Sequence, residues 1–315
     1  SYIIDHFIDH EYGGVFWSVN PAGEMMDGRK QIYGLAFCIY GMAAYYKASG
    51  NGMALHFAKD LYNSIEQYSF DKQKGGYIEA FDRNWKDADD LRLSDKDVNE
   101  RKTMNTHLHI VEAYAELYKV WPDDGLRKKI IQLLELFQQH FINKENHHLQ
   151  LFFNDDWKLK STLQSYGHDI EASWLLQQCA EVIEHQPLIE LFKQFAIPIA
   201  EAAAEGVDSD GRLWYEHEPE KNLLIHEEHS WPQAEAMIGF YNAWQLTGEE
   251  KYLRYSLQSW DFVKKHILNK EKGEWYWGVN KDYSLMQKEK AGFWKCPYHN
   301  SRACMEMYKR ISIVP

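Results

Sequence analysis

Residues 165–174 read SYGHDIEASW, a stretch that combines a helix start with two chemically useful side chains. A serine and a glycine precede an apolar helical run, so we expect a helix to begin near His168 or Asp169. His168 and Glu171 stand three residues apart and share a face of its first turn. A carboxylate beside an imidazole stabilises the charged form, whereas the positive helix end opposes it. The pair therefore suggests a proton-transfer histidine, and the alternative is a polar pair at a helix start.

Composition narrows the class of protein. The 315 residues are 45% apolar and 15% aromatic, with 12 tryptophans and 20 tyrosines, enough for a large core and for flat ligand platforms. The net charge of −12 argues against a nucleic-acid partner. We expect no membrane span, no signal peptide and, with four scattered cysteines, no disulfide framework. We expect a cytoplasmic protein that is monomeric or weakly homo-oligomeric.

One short pattern recurs five times: a glycine-rich or polar turn followed by an aromatic-rich strand. Successive copies, which we call the marker strands, are separated by about 62 residues, with one interval near 72. They occupy residues 11–19, 74–81, 147–153, 210–215 and 272–279. This spacing accommodates two helices and a strand pair in each unit.

Between the marker strands the apolar period becomes helical. Apolar-rich inner helices are expected at 33–46, 106–120, 169–183, 231–246 and 300–311. Amphipathic outer helices are expected at 53–68, 125–141, 188–204 and 250–267. Two concentric rings of helices predict an all-α fold, an (α/α)6 barrel or toroid of helical hairpins with short β-hairpins.

The beginning of the chain resembles the end of an outer helix. Residues 5–11 are similar to residues 139–145 and 265–271, so Ser1 is expected to lie in the tail of an outer helix. A toroid closes with six hairpins and we count five. We therefore expect residues 1–315 to form one catalytic barrel domain that lacks its first helical hairpin. An open arc of five units is the alternative.

The polar residues share one phase of this repeat. Tyr33, His168 and Trp231 each lie about 20 residues after the turn that opens a marker strand. His299 lies slightly further on, and His109 follows a charged insertion at residues 87–96. All five lie near the starts of inner helices, which converge if the helices form a ring. The shared position of these five residues predicts a functional site where the starts of the inner helices converge.

The segment 104–112 offers one candidate cluster. Asn105, His109 and Glu112 share a helical face, whereas His107 and His109 diverge and make a poor metal pair. A metal site, a core histidine and a ligand contact remain open for it.

Two further segments carry candidates. Trp231 is either a packing residue or a stacking platform, with Glu235 one turn below. Ser230 and Gln233 resemble a capping box, and we interpret residues 226–229 (HEEH) as a loop.

In the second segment, His299 falls at a helix cap with Arg302 three residues on. A nucleophile pair of Cys296 and His299 is the alternative.

Two histidines across a ring suit proton transfer at a carbon next to a carbonyl. One imidazole removes the proton and the other returns it to the opposite face. The enediolate oxygens then need donors, which Asn105, His109 and Arg302 could supply.

Residues 102–109, 166–174, 231–235 and 294–302 together resemble the N-acylglucosamine 2-epimerase superfamily, and within it the cellobiose 2-epimerases. The resemblance covers nearly the whole chain. It implies a six-hairpin barrel without cofactor or metal that acts on a disaccharide or oligosaccharide. The implied reaction is reversible C2 epimerisation of the reducing-end glucose of β-1,4-linked disaccharides such as cellobiose and lactose.

The resemblance also implies residue roles. His168 and His299 are the acid/base pair, with His299 taking the proton from the gluco epimer and Glu171 orienting His168. It further implies an arginine on a preceding first inner helix that binds the enediolate oxygen. The remaining site residues are catalytic His109 and the substrate-binding Tyr33, Asp97, Asn105, Trp231, Glu235, Trp294 and Arg302.

Other functions stay open on the same fold. These are an aldose–ketose isomerase, an N-acylglucosamine or mannobiose 2-epimerase, a glycoside hydrolase using Asp97, Glu171 and Glu235, and a sugar-binding toroid without catalysis.

Overall fold

A computed structural model of the chain describes residues 2–312, which contain ten α-helices and eleven short strands. The helices are α1 Tyr2–His6, α2 Ile32–Ser49, α3 Gly52–Ser64, α4 Met104–Tyr118, α5 Asp124–Leu136, α6 Tyr166–Val182, α7 Gln186–Ala204, α8 Ser230–Thr247, α9 Glu250–Phe262 and α10 Tyr298–Ser312. Every predicted inner and outer helix is present. The tail of an outer helix is expected to begin at Ser1, which lies outside the described residues. The first described element is helix α1.

The chain divides into two compact units. The first comprises Ser1–Phe141, Gln150–Ser161 and Cys179–Gln186, and the second comprises Ile142–Leu149, Thr162–Gln178 and Pro187–Pro315. In the first unit, α2 packs on α3 and α4, and α4 packs on α5. In the second unit, α8 packs on α9 and α10. The single barrel domain expected over residues 1–315 stays a prediction.

Inner and outer helices differ as their sequences predict. The inner helices α4 and α8 bury residues on all sides, whereas the outer helices α5 and α9 bury one stripe. Asn51 and Asp123 cap α3 and α5 by accepting hydrogen bonds from Met53 and Leu126 N–H. Three outer helices end in a π turn, at Ile65–Ser69, Phe137–Phe141 and Val263–Ile267, which leads into a marker strand.

Short antiparallel sheets connect successive repeats. The strands are β1 Ser18–Val19, β2 Met25–Asp27, β3 Lys30–Gln31, β4 Ala80–Phe81, β5 Lys102–Thr103, β6 Phe152–Phe153, β7 Gln164–Ser165, β8 Glu216–Glu218, β9 Leu223–Ile225, β10 Glu227–His229 and β11 Gly278–Asn280. The strand before each inner helix pairs with the following marker region in β3–β4, β5–β6, β7–β8 and β10–β11. The segment at 226–229, expected to be a loop, therefore contains strand β10. Its partner lies about 50 residues later, beyond the reach of local pattern reasoning.

Inner helices are tied to the marker strands by one repeated contact. The fourth residue of α4, α6 and α8 accepts a hydrogen bond from the backbone N–H of the preceding marker strand. The pairs are His107 with Tyr77 at 2.9 Å, Asp169 with Leu149 at 2.8 Å and Gln233 with Leu213 at 2.9 Å. This contact fixes the level at which each helix begins.

None of the helices in residues 2–312 combines the length and apolar character needed to cross a membrane.

Candidate active site

His299 is the second residue of α10 and its partner is a carboxylate of α8. The Nδ1 atom of His299 lies 2.7 Å from Oε1 of Glu235. An ionised carboxylate only accepts hydrogen bonds, so Nδ1 carries a proton and donates to it. This contact fixes the tautomer of His299 and stabilises its imidazolium form.

Glu235 is fully buried and receives three donors. Besides His299, the Arg302 guanidinium donates to Oε1 at 2.8 Å and the Trp174 indole N–H to Oε2 at 3.1 Å. Burial alone would raise the pKa of Glu235, but the positive charges of Arg302 and His299 outweigh burial and lower it. Both oxygens of Glu235 are thus engaged by protein groups. The geometry favours a positioning role for this residue over the substrate contact expected from the sequence.

Arg302 joins three helices at this point. Its guanidinium donates to Glu171 of α6 at 2.6 Å and to Glu235 of α8, while Arg302 itself belongs to α10. The guanidinium also lies 5.0 Å from the ring centroid of Trp174, and it donates to the hydroxyl of Tyr298. Arg302 is 6% exposed, so its contacts hold the helix starts together.

Glu171, Glu235 and His299 bring their possible ligand atoms within 4.8 Å of one another. Such a set could hold a cation, but Arg302 donates to both carboxylates. The guanidinium supplies the positive charge that two buried carboxylates require. The donor set is therefore built around an arginine and fits a metal ion poorly.

His168 is the third residue of α6 and is half-buried. Its Nδ1 atom lies 2.8 Å from Oγ of Ser165, the last residue of β7. A partner of Glu171 is Arg302, so the orienting role expected for Glu171 toward His168 stays a prediction. Ser165, which the sequence reasoning missed, supplies a neutral partner where His299 has a charged one.

Trp231 contacts both histidines. Its ring centroid lies 4.8 Å from that of His168 and 5.3 Å from that of His299. The two imidazoles are therefore no further apart than the sum of these distances. Gly167 permits the arrangement, because a Cβ atom there would lie 2.5 Å from the indole ring of Trp231. The structure thus brings His168, Trp231 and His299 together within the second unit.

The first unit holds a second cluster of predicted site residues. The ring of Tyr33, second residue of α2, lies 5.1 Å from that of His109, edge to face. His109 Nδ1 lies 3.0 Å from a carboxylate oxygen of Glu112, one turn along α4. Asn105 precedes His109 by one turn, and its buried side-chain oxygen has no hydrogen-bond partner within residues 2–312. An acceptor left unsatisfied in this way is suited to a ligand hydroxyl.

Three further candidates from the sequence lie in loops. Asp97 lies in the segment before β5 and accepts a hydrogen bond from Ser94 N–H at 2.8 Å; burial raises its pKa. Trp294 is 44% exposed, before α10. Cys296 is exposed, and since the Nδ1 atom of His299 bonds Glu235, the alternative of a cysteine nucleophile gains no support.

One local expectation is wrong, and the core alternative that was left open for the histidines of segment 104–112 applies to His107. Gln233 makes no capping box with Ser230: His229 caps α8 without a side-chain bond, and Gln233 pairs with the backbone of Leu213. His107 is a core histidine, because its two nitrogens bond Tyr77 N–H and Thr103 carbonyl, and burial lowers its pKa to about 3. It is therefore neutral and structural.

Comparison with known proteins finds similar proteins that match nearly the whole chain. A cellobiose 2-epimerase of Bacteroides fragilis is 47% identical over 97% of this chain and 78% of its own length. A cellobiose 2-epimerase of Ruminococcus albus is 38% identical over 98% of this chain and 79% of its own length. The solved structure of a cellobiose 2-epimerase from Bacillus thermoamylovorans superposes with a TM-score of 0.93 at 40% identity, covering 98% of this chain and 79% of that one. The predicted fold class, an (α/α)6 barrel, is confirmed by this likeness.

The family profile described as N-acylglucosamine 2-epimerase (GlcNAc 2-epimerase) matches residues 1–303. The resemblance inferred from the motifs is thereby confirmed. The chain belongs to the N-acylglucosamine 2-epimerase family and is a carbohydrate epimerase, an isomerase.

Proposed function

We propose that the protein reversibly epimerises C2 of the reducing-end glucose of β-1,4-linked disaccharides such as cellobiose and lactose. The observation that carries the proposal is the shared contact of His168 and His299 with Trp231. An indole in contact with both imidazoles offers a flat apolar face for a sugar close to two proton-transfer groups. The names of the relatives supply the substrate class.

The reaction follows from the two imidazoles. In the open-chain sugar, the proton on C2 is acidified by the neighbouring carbonyl, and His299 removes it from the gluco epimer. The electron pair moves into the enediolate, and His168 delivers a proton to the opposite face of C2. In each histidine Nδ1 is held by the protein, so we assign the transfer to Nε2.

The surrounding residues divide into positioning and binding groups. Glu235 and Ser165 hold the two imidazoles, and Arg302 ties Glu235 to Glu171. We assign the enediolate and hydroxyl contacts to Asn105, His109, Tyr33 and Asp97, with Trp231 and Trp294 stacking on the sugar rings. Because Arg302 is buried and paired with two carboxylates, its contribution is to hold Glu235, which in turn holds His299.

The test is direct incubation with sugars. Full-length protein is mixed separately with cellobiose, lactose, mannobiose and N-acetylglucosamine, and anomeric proton signals are followed by NMR. The proposal predicts that a manno-configured reducing end accumulates from cellobiose or lactose. Accumulation of a ketose would identify an aldose–ketose isomerase, and release of glucose would identify a glycosidase. Binding without turnover would leave a carbohydrate-binding protein.

A further inference from the structure

Glu79 is a buried carboxyl group that the proposed reaction does not use. It immediately precedes β4 and is 1% exposed. One carboxylate oxygen accepts a hydrogen bond from the Thr103 hydroxyl at 2.6 Å and the other from the Thr106 hydroxyl at 2.7 Å. Thr103 is the N-cap of α4, and its Oγ1 also accepts from Thr106 N–H at 3.3 Å. Glu79 therefore closes the first turn of α4.

The backbone of the same residue holds a second helix. The carbonyl oxygen of Glu79 accepts a hydrogen bond at 3.1 Å from the N–H of Ile32, the first residue of α2. Its own N–H donates to the carbonyl of Arg101 at 2.9 Å, just before β5. One residue thus joins the starts of α2 and α4. Tyr33 directly follows Ile32 on α2.

We propose that Glu79 is a positioning residue, which holds Tyr33, Asn105 and His109 in register through the first turns of α2 and α4. The inference rests on the proposed function of these residues in binding the reacting sugar. Asn105 lies between the two threonines that bind Glu79, and His109 follows one turn later on α4. A loosened first turn of α4 therefore moves both side chains together.

The charge of Glu79 gives the contact a dependence on pH. Burial raises the pKa of Glu79 to about 7; the two threonine hydroxyls oppose this rise and the negative charge of Asp97 adds to it. As a carboxylate, Glu79 accepts both hydroxyls. As a carboxylic acid it carries an O–H of its own, so one hydroxyl bond must be rearranged. The clamp is therefore tighter above neutral pH than below it.

The experiment compares the intact protein with Glu79→Gln and Glu79→Ala, using cellobiose as the probe. Glutamine imitates the uncharged acid in size and lacks the titration. We expect kcat/KM of the two proteins to agree near pH 6 and to differ by about 10-fold in favour of the natural residue at pH 8. Glu79→Ala, which has no side-chain acceptor, loses about 10- to 100-fold at both pH values.

Glu66→Gln is the matched control. Glu66 also accepts from two hydroxyls, those of Tyr77 at 2.7 Å and Tyr114 at 2.8 Å, and pairs with Lys129 at 2.8 Å. It belongs to the π turn after α3 and not to a helix start. Its replacement lowers stability but leaves the pH profile of kcat/KM unchanged.

A second measurement separates this inference from the proposed function. Because the pKa of Glu79 is raised in the folded protein, the stability of the natural protein falls relative to Glu79→Gln as pH rises from about 4.5 to about 7. Urea midpoints at pH 5 and pH 8 measure this difference without any substrate. If no sugar is epimerised but the midpoints diverge, the proposed function fails and the buried titration stands. A kcat/KM ratio independent of pH, together with Glu79→Ala kinetics equal to the natural protein, overturns the inference.

Discussion

Replacing Glu235 by glutamine keeps the size of the side chain and removes the charge that His299 and Arg302 share. The amide oxygen can still accept from one side of the cluster. The amide nitrogen must then face either these donors or the Trp174 indole N–H, which now bonds Glu235 at 3.1 Å. A donor opposite a donor leaves a buried polar group unsatisfied in either orientation.

The magnitude follows from the loss of one partner in a buried charge cluster. Such a loss costs about 3–5 kcal/mol, because the remaining charges stay buried without compensation. Each 1.4 kcal/mol expressed in the transition state is about tenfold in rate. We therefore expect kcat of Glu235→Gln to fall roughly 10²- to 10⁴-fold while KM changes by only about a few fold, since the sugar platform Trp231 is untouched.

The assay is the rate of C2 epimerisation of cellobiose in steady state, with urea unfolding measured in parallel. Trp174→Phe is the control, since it removes one donor to Glu235 and leaves His299 in place. We expect it to lose activity by no more than about tenfold. A Glu235→Gln protein with near-normal kcat would refute the positioning role assigned to the carboxylate.

Three further predictions concern neighbouring groups. Ser165→Ala removes the hydroxyl that contacts Nδ1 of His168, so kcat/KM in steady-state kinetics should fall about tenfold. The free energy of unfolding should fall by about 1 kcal/mol, and unchanged kinetics would contradict the role assigned to Ser165. Gly167→Ala places a Cβ atom 2.5 Å from the ring of Trp231, which should weaken cellobiose binding in calorimetry and destabilise by about 1–3 kcal/mol. Gly41→Ala, in open space on a helix, should instead stabilise by about 0.5–1 kcal/mol, and similar effects of both would argue against the close contact. Because the pKa of His107 is lowered to about 3, its contribution to stability is full above pH 6.5 and is lost as pH falls. His107→Gln introduces the residue type that α8 carries at its fourth position, Gln233, and removes this titration. The melting temperature of the variant should therefore depend less on pH in acid.

The sequence predicted the helices well because their periods are long and repeated. Each inner helix begins within about three residues of its predicted start, and the family resemblance and fold class are confirmed. The repeat helped most, since five copies of one pattern average out local ambiguity.

The partners of the polar side chains could not be read in this way. Glu235 was placed correctly one turn below Trp231, but its contact with His299 depends on how α8 and α10 dock. The same holds for Arg302, whose carboxylates come from α6 and α8. Hydrogen bonds that span 64 to 131 residues leave no periodic trace in one sequence.

Ser165 could have been found. It stands three residues before His168, which is the spacing at which a helix-entry side chain meets the first turn. Strand β10 was missed for a different reason, because its charged residues pair with β11 across a long separation.

We propose that His168 and His299 exchange the C2 proton of the sugar with solvent from opposite faces. Full-length protein is incubated with cellobiose in deuterium oxide, and deuterium at C2 of substrate and product is measured by NMR and mass spectrometry. Exchange by these two histidines predicts one deuterium at C2 of the manno epimer, and no epimer from His168→Ala or His299→Ala despite retained folding. Epimer formed without deuterium at C2, or formed at the natural rate by either variant, would contradict it.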